Sequence, residues 1–123
     1  MNAPIGTAPE QAQQQAPSNM KDALGIEDPY NVKLSQTYET HQGPVNVMRL
    51  QQPTGQAFID LGKLPFDISG GGMDIDFTLA AKWLERMSGW DSIILGKMHH
   101  MDFMKSVLAM IAVLSDESPP AGN

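Results

Sequence analysis

The chain has 123 residues, a formal net charge of -6, eight Lys and Arg against fourteen Asp and Glu, and no cysteine. Nucleic-acid affinity rests on clustered basic residues that displace counterions from phosphates, so eight scattered ones exclude a phosphate-backbone partner, and an acidic membrane surface with it. Without cysteine there is no disulfide, thiolate nucleophile or Cys-type zinc site, which fits a reducing cytoplasm.

No apolar run approaches the roughly 20 residues of a bilayer span, and no basic region followed by an apolar one marks a signal peptide, so a soluble intracellular protein is expected. Residues 1–28 hold Pro4, Pro9, Pro17 and the glutamines Gln11, Gln13, Gln14 and Gln15, with few large apolar groups. Ordering them would cost more conformational entropy than burial returns, so they are expected to form a disordered polar extension. The foldable unit is then residues 29–116, with 117–123 a flexible tail. A domain this small has a thin core that association commonly supplements.

Tyr30, Val32 and Leu34 alternate with Asn31, Lys33 and Ser35, the period of a half-buried strand. After Gln36 to His41 the punctuation Gln42-Gly43-Pro44 reverses the chain, and Val45, Val47 and Arg49 alternate with Asn46, Met48 and Leu50. An antiparallel hairpin follows, which needs a further layer over its apolar face. Thr54 is placed to cap a short helix ending at Leu61 before Gly62. Lys63 to Ile75 reads as a loop around Pro65 and Gly70-Gly71-Gly72. Asp76 caps a helix to Ser88, stopped by Gly89, whose face of Phe77, Leu79, Ala80, Trp83, Leu84 and Met87 covers about 160°. Asp91 or Ser92 caps a short turn through Leu95, and a last helix runs from Met98 or His100 to Ser115. The fold class is α+β: one small domain with an N-terminal β-hairpin followed by three to four α-helices.

Catalytic and cofactor motifs find no support. The glycine triplet lacks the Lys-Ser or Lys-Thr of a phosphate loop. His99 and His100 are adjacent, about 100° apart on a helix, and cannot converge on one ion, while His41 sits remote in a turn. Asp74 and Asp76 start like a calcium loop but lack its later ligands, so capping explains them better. No serine or threonine stands in a nucleophile elbow. A non-enzymatic protein with no metal and no cofactor is expected.

The last helix is where function is expected. On a helical wheel Met101, Phe103, Met104, Val107, Leu108, Met110, Ile111, Val113 and Leu114 fill an arc of about 240°, leaving Asp102, Lys105, Ser106, Ala109 and Ala112 on the remainder. A surface helix needs a stripe only a little wider than about 100°, so one flank should meet its own domain and the other a partner. Five of the nine methionines, Met87, Met98, Met101, Met104 and Met110, lie from residue 87 onward. Their unbranched, polarisable side chains suit an adaptable binding surface as well as an irregular core. The partner surface is expected to comprise Met101, Phe103, Met104, Val107, Leu108, Ile111 and Leu114.

The order of parts resembles the phage tail assembly chaperones of contractile-tailed phages. The resemblance rests on the strand Tyr30-Asn31-Val32-Lys33-Leu34-Ser35, the block Met48-Arg49-Leu50-Gln51-Gln52-Pro53-Thr54-Gly55 at a strand-to-helix junction, and the helix-turn-helix pattern from Leu84 to Leu114 with Met101-Asp102-Phe103 opening its last helix. It spans residues 30 to 115; the N-terminal extension and the glycine triplet depart from the family pattern. It implies a late, non-enzymatic assembly factor in the host cytoplasm that keeps the tape measure protein soluble, assists the tail tube protein and leaves before the virion is complete. It also implies a longer form made by translational frameshifting. Self-association is a further expectation. The competing expectation is a structural tail or connector subunit whose last helix makes a permanent oligomer.

Overall fold

The computed structural model describes residues 26–117. An antiparallel hairpin, β1 (Asn31–Thr40) and β2 (Gly43–Arg49), is followed by α1 (Gly55–Leu61), a two-residue ladder of β3 (Phe66–Asp67) with β4 (Asp74–Ile75), then α2 (Phe77–Ser88), α3 (Ser92–Gly96) and α4 (His100–Leu114). The fold is α+β, a hairpin and four α-helices. Helices α2 and α4 pack on each other and both lie against the hairpin, supplying the layer that two strands require.

Local chemistry sets most boundaries. Asp76 accepts the Leu79 N–H at 3.1 Å to start α2, and Asp91 accepts the Ile94 N–H at 3.0 Å to start α3. Gly89 ends α2 in the left-handed region at φ 80°, donating its N–H to the Glu85 carbonyl at 3.0 Å. Thr54 holds the N-cap position of α1, but its side chain makes no capping bond.

Three features differ from the sequence reading. Strand β1 continues through Gln36–Thr40 as far as a tight turn at His41-Gln42. Lys33 pairs with Val47 and Tyr38 with Val45, so five steps along β1 face only two along β2, and the excess forms a bulge at residues 34–37. The Lys63–Ile75 loop carries the β3–β4 ladder, with positive φ at Gly70 and Gly71 between its arms. Ile26 packs on the core and Asp28 forms a turn, so ordered structure begins inside the stretch assigned to the extension. Residues 1–25 of that extension and 118–123 of the tail lie outside the described residues.

The core joins Val32, Met48 and Leu50 from the hairpin to Trp83, Leu84 and Met87 of α2 and Val107, Met110, Ile111 and Val113 of α4. In the second strand Met48 is buried, as is Leu50 just past its end, while Val45 and Val47 are half-buried. Trp83 fixes the neighbouring loop by donating its indole N–H to the Lys63 carbonyl at 3.1 Å, and Phe58 meets its ring edge-on at 5.0 Å.

Candidate functional site

Helix α4 presents a different face inward from the one its wheel suggests. Asp102, Ser106 and Ala109, assigned to the polar remainder, are buried, together with nearly the whole C-terminal half from Val107 to Val113. The polar pair enters the interior because each group is satisfied. Asp102 Oδ1 accepts the Ser35 N–H at 3.0 Å; Oδ2 accepts the Ser35 hydroxyl at 2.9 Å and the Tyr38 hydroxyl at 2.7 Å. Ser106 donates to the Asp102 carbonyl at 2.8 Å. All three donors to the carboxylate come from β1, two from Ser35 in the bulge and one from Tyr38, the first residue paired again beyond it.

Burial works against a charge on Asp102, but the Tyr38 hydroxyl, the Ser35 N–H and hydroxyl, and the nearby His99 outweigh it and hold the carboxyl below its ordinary value. Burial first, then the bond to Asp102, pushes the Tyr38 phenol above its ordinary value. The Tyr38 oxygen also accepts the His99 N–H at 3.1 Å, and His99 Nδ1 accepts the Met101 N–H at 3.2 Å to cap α4. His99 is therefore a helix-entry residue, its ring 4.5 Å from that of His100. His41 Nε2 stands 3.0 Å from Asp91 Oδ2, joining the hairpin tip to the start of α3. Among the described residues no group of three or more His, Asp or Glu is placed to hold a metal ion. Nor is any helix there long and apolar enough to cross a membrane.

The seven expected partner residues divide. Val107 and Ile111 are completely buried and belong to the core, because the bonds from Asp102 to β1 rotate that side of α4 against the hairpin and α2. Phe103 and Leu114 are half-buried and also pack on the core, the Phe103 ring 6.5 Å from that of the exposed Phe77. Met101 is 60% exposed, Met104 is 38% exposed and Leu108 is half-buried. These three recur at i, i+3 and i+7 and form a continuous strip. The strip lines an open groove of about 850 Å³, together with Ile26 and Val32. Lys105 lies across one side, donating to the Lys33 carbonyl at 2.7 Å.

Sequence reasoning missed the part of Ile26 in lining the groove, since that residue falls within the expected extension, and it missed a separate exposed apolar pair on α1, Phe58 and Ile59. The juxtaposition of those two large side chains in a helix of seven residues was the available signal. Comparison with family models, with curated proteins and with solved structures finds no match.

Proposed function

We propose that this chain is a phage tail assembly chaperone, a non-enzymatic factor that binds an apolar helical stretch of the tape measure protein in the host cytoplasm and is absent from the finished virion. The observation that carries this reading is the Met101, Met104 and Leu108 strip, two of whose side chains remain substantially exposed although the same helix supplies much of the core. The order of strands and helices that resembles the chaperone family supports it as well.

The energetics suit transient binding. Full burial of an apolar side chain contributes about 1.5–3 kcal/mol, and three partly exposed ones yield a few kcal/mol gross, much of it offset by association and ordering costs. Methionine suits such a surface because it conforms to different neighbours. A net charge of -6 keeps the chain soluble while apolar surface stands open. The tail tube protein is a second partner in this scheme.

Co-expression with the tape measure protein of the same phage, followed by pull-down and size-exclusion chromatography, tests the reading. Wild-type chain should keep the long protein soluble and co-elute with it, and Met101→Asp with Met104→Asp should abolish both effects without changing the melting temperature. A tape measure protein that stays insoluble beside the wild-type chain overturns the proposal. Stoichiometric amounts of the chain in purified virions overturn it too, in favour of the structural subunit.

A further inference from the structure

We infer that the groove beside α4 takes an extended segment of another protein, added to β1 as a parallel strand with an apolar residue beside Val32, an acidic one beside Lys33 and a second apolar one next along. The backbone groups that face the groove are the reason. Leu50 donates its N–H to the Tyr30 carbonyl at 2.9 Å, and the register sets Val32 opposite Met48, so Tyr30 and Val32 bond inward to the second strand. The alternation of an antiparallel ladder then turns the backbone groups of Asn31 and Lys33 outward, and both residues line the groove.

Half of those outward groups are in use. The Asn31 N–H goes to the Asp28 carbonyl at 3.3 Å, and the Lys33 carbonyl accepts Lys105 Nζ at 2.7 Å. Among the described residues no hydrogen bond reaches the other half, the Asn31 carbonyl and the Lys33 N–H. Further along, the Ser35 N–H is taken by Asp102 at 3.0 Å, so the open edge is Asn31 to Lys33. This remainder selects a direction. In a parallel pair a residue beside Val32 gives its N–H to the carbonyl of Asn31 and accepts the N–H of Lys33, satisfying both at once. An antiparallel residue would need both outward groups of Asn31, or both of Lys33, and one of each is taken.

The side chains fit the same register. They alternate in face along a strand, so the residue beside Val32 and the one two further on both look towards α4, about 6–7 Å apart. Helix α4 runs antiparallel to β1, since Lys33 meets Lys105, Ser35 meets Asp102 and Tyr38 meets His99. The two side chains therefore meet Leu108 and then Met104, which are about 6 Å apart along the helix. The residue between them turns to the other face beside Lys33, an exposed cation without an ion-pair partner among the described residues, and an acidic side chain complements it. Main-chain bonds then supply affinity and alternate side chains supply selection. The inference goes beyond the chaperone reading and does not rest on it; an extended ligand would compete with a helical partner for Met104 and Leu108.

The probe is the peptide acetyl-Thr-Val-Glu-Val-Thr-amide, titrated into the full-length chain to millimolar concentration and followed by backbone and methionine methyl spectra. The Lys33 amide and the Met104 methyl should shift on one binding curve, while the core methyls of Met48 and Met110 stay in place. N-methylation of the first valine removes the N–H aimed at the Asn31 carbonyl and should weaken binding at least about tenfold. N-methylation of the glutamate, whose N–H points away from β1, should change it by less than about twofold. A peptide with Lys in place of Glu should bind more weakly, and Lys33→Glu should restore its affinity. Equal affinity of the two N-methylated peptides would overturn the inference, as would an unmoved Lys33 amide. A Lys33 amide that shifts with protein concentration alone would assign the edge to a second copy of the chain and overturn it too. No readout involves the tape measure protein, so this inference and the chaperone reading fail separately.

Discussion

The Tyr38 hydroxyl donates to Asp102 Oδ2 across 2.7 Å, joining residues 64 positions apart and locking the bulged half of β1 to the first turn of α4. The carboxylate is 3% exposed and collects three donors from β1. Asp102→Ala strands those donors in a partly dry setting and should cost at least about 1–3 kcal/mol in urea unfolding at neutral pH. Tyr38→Phe removes one bond and should cost less, about 0.5–1.5 kcal/mol.

The same carboxylate gives the fold an acid-sensitive contribution of defined sign. Because folding lowers the Asp102 carboxyl below its ordinary value, ionised Asp102 stabilises the fold above the usual carboxylate range, and that stabilisation is lost as pH falls through the lowered value. The stability gap between wild type and Asp102→Asn should therefore be widest near neutrality and narrow on acidification below about pH 4. An equal gap at both pH values would show that the charge itself contributes nothing.

Core and strip on α4 should separate under truncation. Ile111→Ala empties a fully buried position and should cost about 2–5 kcal/mol, whereas Met101→Ala should stay within about 0.5 kcal/mol of wild type. In pull-downs with the proposed partner the order should invert at permissive temperature: Ile111→Ala should retain binding as long as it is folded, and Met101→Ala should weaken it.

That division explains what could be read from the residues in advance. Hairpin and helices were legible because their punctuation is chemical: Asp76 and Asp91 cap, Gly62 and Gly89 reverse handedness, and Val32 with Leu34 keeps the strand period. The rotation of α4 was not legible. A helical wheel sends Asp102 and Ser106 to water, and only the donors on a bulged strand 64 to 67 positions away make their burial affordable. The bulge was hidden for the same reason, since its register is set by that distant carboxylate rather than by local alternation. Of the expected surface, Met101 and Met104 are exposed and Leu108 is half-buried, while Val107 and Ile111 fall on the inward side of the same rotation.

Gly89 offers a test of backbone handedness free of packing. It sits at φ 80°, and a Cβ there would meet no atom within 4 Å. Gly89→Ala should still cost about 1–2 kcal/mol, because an L side chain disfavours the left-handed region whatever the available space. Calorimetry should show a lower melting temperature with no change in the methionine methyl spectrum of the strip. An unchanged melting temperature would mean that α2 can end in another way.

The C-terminal end of α4 should respond to alkali. Tyr30 donates its hydroxyl to Asp116 Oδ2 and accepts from Gln52 Nε2 at 3.1 Å; burial first, then the bond to Asp116, raises its pKa from 10.0 to about 12. A raised value means that the neutral phenol stabilises the fold fully below the ordinary tyrosine pKa, and that this stabilisation is lost as pH rises through about 12. Tyr30 and Tyr38 are the only tyrosines, and both are raised, so native protein at pH near 10 should show little tyrosinate absorbance until urea unfolds it. Tyr30→Phe should lower stability at neutral pH and flatten the alkaline decline, leaving Tyr38 as the sole titrating phenol. Tyrosinate absorbance in the folded wild type matching that of the unfolded chain at this pH would contradict the half-buried bond to Asp116, and with it the anchoring of α4 beside the entry to β1.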